Sequence, residues 1–338
     1  VVYEYANGLA ARGHEVVVTH RMIKVPGASA ARQWARYAKA RWKGDWLPAA
    51  WFKVDPRVRM RLVIDATEGA LGQADVLIAT AWQTAEIAAN MPARCGRKFY
   101  FIQHFEEWSG ERDRVLATWR LTLHKIVIAK WLHEIAQSQG ETADYIPNGV
   151  DFVAFGIDTP PEVRDPHTVI MLYHEFDWKG SNDGLAALRG VKASVPGLKV
   201  ILFGVNAKPA GLEPWFEYHQ LPSQSVLRGL YNRAAVFLSP SWAEGWPLPP
   251  AEAMLCGTAT VLTDIGGHRE YGIDGDTTLL GQARAPETLI PPLIHLLTDP
   301  NARLAQSRRA RSHIEQFTWQ RATDAMERVL THSETGNA

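Results

Sequence analysis

The sequence predicts an α/β fold made of two doubly wound, Rossmann-like domains with parallel sheets. Three observations carry this: two successive series of short apolar runs, helical stretches between the runs, and a Pro-rich polar break near the middle of the 338 residues. Strands buried on both faces read as short continuous apolar runs, because helices cover the sheet on either side. The first series is 16–18, 61–64, 74–79, 98–102 and 125–129; the second is 168–173, 198–203, 235–238 and 259–263. Residues 158–166 have the composition of a linker. The expected domains are therefore 1–152, 153–315 and a C-terminal helical stretch, 316–338, that returns to the first domain.

Residues 1–12 read as a helix ended by Gly13, with a strand following over 15–19. A crossover helix in a parallel sheet follows a strand. The expectation is that the first strand of the first domain precedes Val1 and is missing from the chain as written.

Composition narrows the function classes. Hydrophobic residues make up 46% and charged residues 21%, and 36 Lys+Arg balance 36 Asp+Glu, so nothing in the overall charge points to nucleic acid. Two cysteines, Cys95 and Cys256, are too few for a disulfide framework or a cysteine metal site, which fits a reducing, cytoplasmic setting. No apolar run approaches the roughly 18 residues that span a bilayer.

The segment 239–257 carries the most chemical information. An apolar run, a Trp- and Pro-containing loop and a short helix succeed one another, with Pro250 expected at the first helical position and Gly257 just past the last turn. Glu244 and Glu252 flank that helix start with seven residues between them. Unpaired N–H groups at a helix N-terminus favour an anion such as a diphosphate. Carboxylates accept hydrogen bonds from hydroxyls, which sugars present in adjacent pairs. Two acids around an anion site therefore suggest sugar, phosphate, sugar.

These motifs, with Leu9-Ala-Ala-Arg-Gly-His-Glu-Val16, Ile146-Pro-Asn-Gly-Val-Asp151, Trp178-Lys-Gly180, Thr263-Asp-Ile-Gly-Gly-His-Arg-Glu270 and Phe317-Thr-Trp319, resemble the retaining glycosyltransferases of family 4. The resemblance implies the GT-B architecture, two facing Rossmann-like domains with the donor site in the cleft. It implies transfer of a hexose or related sugar, with retention, from a nucleoside diphosphate sugar to a glycan, lipid-linked or small-molecule acceptor in polysaccharide or glycoconjugate synthesis. In the family's pattern Glu244 contacts the donor sugar, Glu252 the ribose, and Lys179 the diphosphate. His104, after the run 98–102, corresponds to a histidine that contacts the donor sugar, with Gln103, Glu106 and Glu270 as further cleft candidates. Gly245, Trp246 and Leu248 complete the donor loop, whereas Asn148 and Gly149 shape a hinge turn. Where the family has Arg the chain has His174, a weaker and pH-dependent cation, and Pro247 replaces a glycine that would donate an N–H.

No metal and no cofactor is expected, because Lys179 would neutralise the leaving diphosphate and Asp274-Gly-Asp276 reads as a turn. The competing reading is a non-catalytic nucleotide-sugar-binding module, supported by His174, Pro247 and the missing strand.

One segment stands apart. Between Arg21 and Lys53 eight residues are basic (Arg21, Lys24, Arg32, Arg36, Lys39, Arg41, Lys43, Lys53) and only Asp45 is acidic. Arg32, Arg36, Lys39 and Lys43 share a helical face beside Trp34, Ala38 and Trp42, with Trp46 and Trp51 following. That pattern suits either a solvated charged face or an interfacial helix on an anionic membrane.

Overall fold

A computed structural model describes residues 1–332 except Lys24, Pro26 and Trp51. Lys24 and Trp51, counted above in the basic segment, therefore lie outside the described residues, and of Ala50 only the backbone is described. The chain divides into two compact units. One comprises 1–128, 132–148 and the residues from Trp319 onward, the other 129–131 and 149–318.

The first unit contains α1 (Val2–Ala11), β1 (Val17–Arg21), α2 (Ala30–Lys43), β2 (Arg59–Val63), α3 (Glu68–Leu71), β3 (Val76–Ala79), α4 (Trp82–Ala89), β4 (Arg97–Ile102), α5 (Arg112–Trp119), β5 (His124–Val127), α6 (Lys130–Ser138, whose first two residues cluster with the second unit) and β6 (Ala143–Tyr145). Its strands form two hydrogen-bonded groups, β1-β2 and β3-β4-β5-β6, parallel throughout. Phe99, Phe101, Ile126, Val127 and Leu132 fill its interior.

The second unit contains β7 (Thr168–Leu172), α7 (Ser181–Ser194), β8 (Lys199–Gly204), β9 (Phe216–Gln220), α8 (Gln224–Arg233), β10 (Val236–Ser239), α9 (Leu248–Leu255), β11 (Ala259–Thr263), β12 (Leu279–Gly281), α10 (Ile290–Thr298) and α11 (Pro300–Ile314). Its six parallel strands lie in the order β12-β11-β10-β7-β8-β9. The chain winds outward from β7 to β9, returns across β7 to β10, and winds outward the other way. Ligands in such sheets bind outside the carboxyl ends of the strands at the point where the order reverses, here between β7 and β10. Val169, Met171, Leu202, Val236, Leu238, Val261, Leu188 and Leu293 belong to one buried cluster beneath that point.

A last helix, α12 (Trp319–Thr331), packs on α1 within the first unit. Tyr5 meets Trp319 edge to face, and Arg12 pairs with Asp324 and, at 2.9 Å, with Glu327.

The α/β class with parallel sheets in both units is as the sequence predicts, and the reversal of strand order that marks double winding appears in the second unit's sheet. Three strands lacked a signal in it. β6, β9 and β12 are edge strands of three to five residues, and a strand covered on one side needs no continuous apolar run. Among the described residues no helix is long and apolar enough to cross a membrane. Cys95 and Cys256 are both free and buried.

The linker after the first unit is anchored by a buried arginine. Arg164 donates to the carbonyls of Thr159 (2.7 Å), Cys256 (2.6 Å), Ala234 (3.2 Å) and Tyr231 (3.3 Å), and to Thr258 Oγ1 (3.2 Å) and Asn232 Oδ1 (3.3 Å). Its partners are neutral and burial lowers its pKa to about 10, so acceptors rather than a counter-charge hold the cation. Arg164→Met would strand the carbonyls of Tyr231, Ala234 and Cys256 at the ends of α8 and α9 and that of Thr159 beside them. It is expected to destabilise the protein by roughly 3 kcal/mol or more, read from urea denaturation; a loss below about 1 kcal/mol would contradict the anchoring role.

Candidate functional site

Three adjacent strands deliver the functional side chains. After β7 the chain passes through His174 to a single turn of 3-10 helix, Asp177–Lys179, then enters α7 through Gly180 at φ +63°. After β10 it runs from Pro240 to Pro247 and into α9. After β11 it forms a second short turn, His268–Glu270.

The first two loops are clamped together. A backbone bond joins Trp242 N–H to the carbonyl of Trp178 at 2.7 Å. A Cβ on residue 180 would stand 2.0 Å from the Pro240 carbonyl oxygen, so this approach and the left-handed backbone both require glycine. The clamp brings Lys179 against Glu244: the ammonium donates to both carboxylate oxygens, at 2.8 and 3.0 Å. Ser241 Oγ donates to the same carboxylate at 2.9 Å, and the ammonium lies 4.3 Å from the centre of the Trp178 ring. Glu244 is 8% exposed. The pair therefore sits at the reversal point of the sheet, largely out of water.

Beneath it lies a buried polar chain. Thr263 Oγ1 donates to the Ser241 carbonyl at 2.5 Å. His268 contacts the Thr263 carbonyl through Nδ1 at 2.7 Å and Ser239 Oγ through Nε2 at 2.9 Å. Since a carbonyl only accepts, Nδ1 carries the proton and Nε2 accepts from the serine. Burial lowers the imidazole pKa to about 4, so His268 is a neutral brace. The sequence singled out neither Ser241 nor His268 for a role.

Glu252 faces a different partner. α9 starts at Leu248, with Pro249 and Pro250 at its second and third positions, two residues earlier than expected. Proline is tolerated at all three because N–H groups in the first turn have no intrahelical acceptor. Glu252 thereby falls in the second turn, beyond the unpaired N–H groups that a first-turn acid would satisfy. Its carboxylate instead accepts from the hydroxyl of fully buried Tyr231 at 3.0 Å. Burial pushes the acid up to about 7, against the pull of the Tyr231 hydrogen bond, and Asp151 adds to the rise. Gly257, at φ +77°, follows the helix end as expected.

His174 departs from its expected role as a cation. Its Nδ1 accepts the Phe176 N–H at 3.0 Å, and burial, reinforced by Lys179, lowers its pKa. A neutral ring results. Trp246 is a core side chain packed on Tyr271 and Phe317, with ring centroids at 4.8 and 5.6 Å. It and Gly245 can offer only backbone to a ligand, and half-buried Leu248 has the first N–H of α9. Glu270 is buried and accepts the Lys130 N–H at 2.6 Å. Asp274 takes the Leu280 N–H within a turn and Asp276 pairs with Arg309.

The remaining candidates lie on the other unit. His104 follows β4, with Nδ1 3.1 Å from the Phe105 carbonyl and its ring against Trp108. Gln103 precedes it. Glu106 accepts the Trp82 N–H at 2.8 Å, and burial raises its pKa. Asn148 is buried at the end of that unit.

Residues 159–313 match the family of glycosyl transferases group 1. Over 240 residues the chain is 23% identical to the D-inositol 3-phosphate glycosyltransferase of Rhodococcus erythropolis, a match covering 64% of this chain and 54% of that protein. The chain thus spans about half the length of that relative. Its fold is similar to that of sucrose-phosphate synthase from Thermosynechococcus elongatus, with TM-score 0.75 and 15% identity over 97% of this chain and 91% of the other. HepE of Anabaena, solved with UDP and glucose, gives TM-score 0.71 and 15% identity over 94% and 100%. The fold is therefore of the GT-B type, and the match to the group 1 glycosyl transferases lies within its second unit.

The Tyr231–Glu252 pair has a signature in stability. Between the ordinary carboxyl value of 4.5 and about 7 the folded protein holds a proton that the unfolded chain has released, so stability falls as pH rises through that window. Glu252→Gln is expected to flatten the slope, by an amount on the order of 1–2 kcal/mol between pH 4.5 and 8. Tyr231→Phe should steepen it by removing the donor that favours the carboxylate. Denaturant titrations at several pH values check both; parallel curves for wild type and Glu252→Gln would contradict the raised carboxyl.

Proposed function

We propose that this protein is a retaining, metal-independent glycosyltransferase of family 4 that moves a hexosyl or related sugar from a nucleoside diphosphate to an acceptor hydroxyl. The observation that carries the reading is the Lys179–Glu244 pair at the reversal point of the second unit's sheet, next to the start of α9. Buried pairs cost desolvation that mutual attraction only partly offsets, so a diphosphate can compete for Lys179. With the ammonium turned to the diphosphate, Glu244 accepts from hydroxyls of the sugar while Ser241 keeps its orientation. Among the residues that open α9 only Leu248 has a backbone N–H, since 247, 249 and 250 are prolines; that N–H and the N–H of Trp246 are offered to the phosphate oxygens, and Glu252 takes the ribose hydroxyls.

Retention is what the resemblance to family 4 implies, and the handling of the proton is compatible with it. Neither His174 nor His268 is free to act as a base at neutral pH, because Nδ1 of the first and Nε2 of the second already accept hydrogen bonds. The departing diphosphate oxygen takes the acceptor's proton as the glycosidic bond ionises. The chain supplies charge and position. The similarity to an inositol phosphate glycosyltransferase and to a neighbour solved with UDP and glucose supports a nucleotide-sugar donor. The acceptor class is a glycan, a lipid-linked sugar or a small polyol. Two free buried cysteines suit the cytoplasm.

A second reading, a nucleotide-sugar-binding module without turnover, draws on His174 and Pro247: one offers no second cation and the other no N–H. The two readings separate on whether donor is hydrolysed or transferred when nucleoside diphosphate binds.

Calorimetry with the nucleoside diphosphate alone tests the assignment. Glu252→Gln is expected to weaken binding by roughly 1.5–3 kcal/mol. Glu244→Gln should leave that affinity intact or raise it, since Lys179 loses its competitor, while depressing turnover at least about a hundredfold. Unaltered affinity in both variants would sink the reading. With Lys179 as the phosphate cation, transfer is also expected to survive saturating EDTA; loss of activity restored by Mg²⁺ or Mn²⁺ would rule out metal independence.

A further inference from the structure

Helix α2 is built the wrong way round for a helix that serves only the core. It is well bounded, with Ser29 Oγ accepting the Arg32 N–H at its start and Gly44 at φ +69° closing its end. Yet among its 14 residues only Gln33 is buried. What ties it inward is polar: Gln33 Nε2 to the Val25 carbonyl (3.3 Å), Arg36 to the Ile23 carbonyl (3.1 Å) and the Tyr37 hydroxyl to the Leu62 carbonyl (3.4 Å).

The apolar side chains point the other way. Trp34 is 61% exposed and Trp42 87%. At 100° per residue Ala31, Trp34, Ala35, Ala38 and Trp42 fall within an arc of about 100°, and all five are exposed. Arg32, Lys39 and Lys43 line one flank of that arc and Arg41 the other. Among the described residues none of Arg32, Lys39 and Lys43 enters an ion pair, and the helix itself has no acid. Beside it Ile23 is 81% exposed. Trp46 is not part of this face, because its ring packs on His20 at 5.4 Å.

We propose that the outward face of α2 docks on an anionic lipid bilayer, with Trp34 and Trp42 at headgroup depth and Arg32, Lys39, Lys43 and Arg41 on the lipid phosphates. Charge complementarity selects the occupant. The whole chain is neutral, so an unpaired basic row concentrated on this helix is a local device. Tryptophan, with a large apolar body and one N–H, is suited to the boundary between acyl chains and headgroups. The alanines between the tryptophans leave a low, even stripe that can lie flat on a surface. A duplex nucleic-acid site would instead call for basic side chains tracking the phosphates without the apolar stripe between them. The proposal goes beyond the transferase reading and does not depend on it, since vesicle binding needs no turnover.

The test is cosedimentation of the full chain at low salt with vesicles of phosphatidylcholine alone or with 30% phosphatidylglycerol, and with a duplex DNA as competitor. Partitioning onto the anionic vesicles is expected to be at least about tenfold stronger than onto neutral ones and to collapse at high salt. Arg32→Glu combined with Lys39→Glu and Lys43→Glu should cancel the lipid-charge preference. Trp42→Ser alone, at a position with almost no packing to lose, should weaken binding severalfold and reduce, with Trp34 still present, the quenching of tryptophan emission by brominated lipid. Circular dichroism and thermal melting confirm that each variant folds. Indifference of the wild type to anionic lipid, competition by DNA at equal charge concentration, or unchanged binding by Trp42→Ser in a folded protein would each overturn the proposal.

Discussion

The geometry of the candidate site depends on how closely the loops after β7 and β10 approach each other. The two strands are neighbours in the sheet but belong to opposite halves of its winding, so their loops diverge to helices on different faces. Between those loops the Gly180 backbone lies against the Pro240 carbonyl and Trp242 N–H reaches the Trp178 carbonyl. No side chain fits at residue 180. If the approach opened by a few ångströms, Lys179 would no longer reach Glu244, and a cation and an anion would each stand desolvated and alone. The fold therefore places opposite charges at hydrogen-bond distance at its reversal point through backbone contact.

The acid is held from below as well as from the side. Ser241 donates to it, Thr263 fixes the Ser241 carbonyl, and His268 ties Thr263 to Ser239. Each link is buried, and every polar atom named has a partner, which is the condition under which a buried network rigidifies rather than destabilises. His268 completes the network only as a neutral ring with the proton on Nδ1. Acidification toward pH 4 would add a second donor where the Ser239 hydroxyl must already donate, so burial and the hydrogen-bond pattern oppose protonation together. Among the described residues Glu252 has a single hydrogen-bond donor, Tyr231, and its pKa is raised to about 7.

Strands buried on both faces were legible because burial demands continuous apolar runs; β7, β8, β10 and β11 appear where those runs lie. β6, β9 and β12 were not, since an edge strand can alternate, as Phe216-Glu-Tyr-His-Gln220 does. Lys179, Glu244 and Glu252 stood out through their motifs, but their mutual geometry did not. Sequence spacing says nothing of a salt bridge across 65 residues. The start of α9 was misplaced because three prolines in four positions, 247, 249 and 250, each satisfy the rules for a first turn. His174 looked like a cation by position; the Phe176 N–H that occupies its Nδ1 is a local turn contact with no sequence signature. Arg164 was invisible, since its partners are carbonyls, which every residue has.

The same physical rules separate α2 from the rest of the protein. Elsewhere apolar faces turn inward and close on a core, as α7 and α10 do over β7 and β10, while the inward ties of α2 are hydrogen bonds and its tryptophans face out. A solvated charged face explains exposed Arg32, Lys39 and Lys43 on its own terms. It does not explain Trp34 and Trp42, for exposing an indole forgoes on the order of 2 kcal/mol of burial that an inward rotation of the helix by half a turn would recover. The Tyr37 hydroxyl bonds the Leu62 carbonyl of β2, and Gln33 and Arg36 bond the carbonyls of Val25 and Ile23 in the segment leading into the helix. These bonds accompany the roll angle at which the tryptophans and the basic row face outward together.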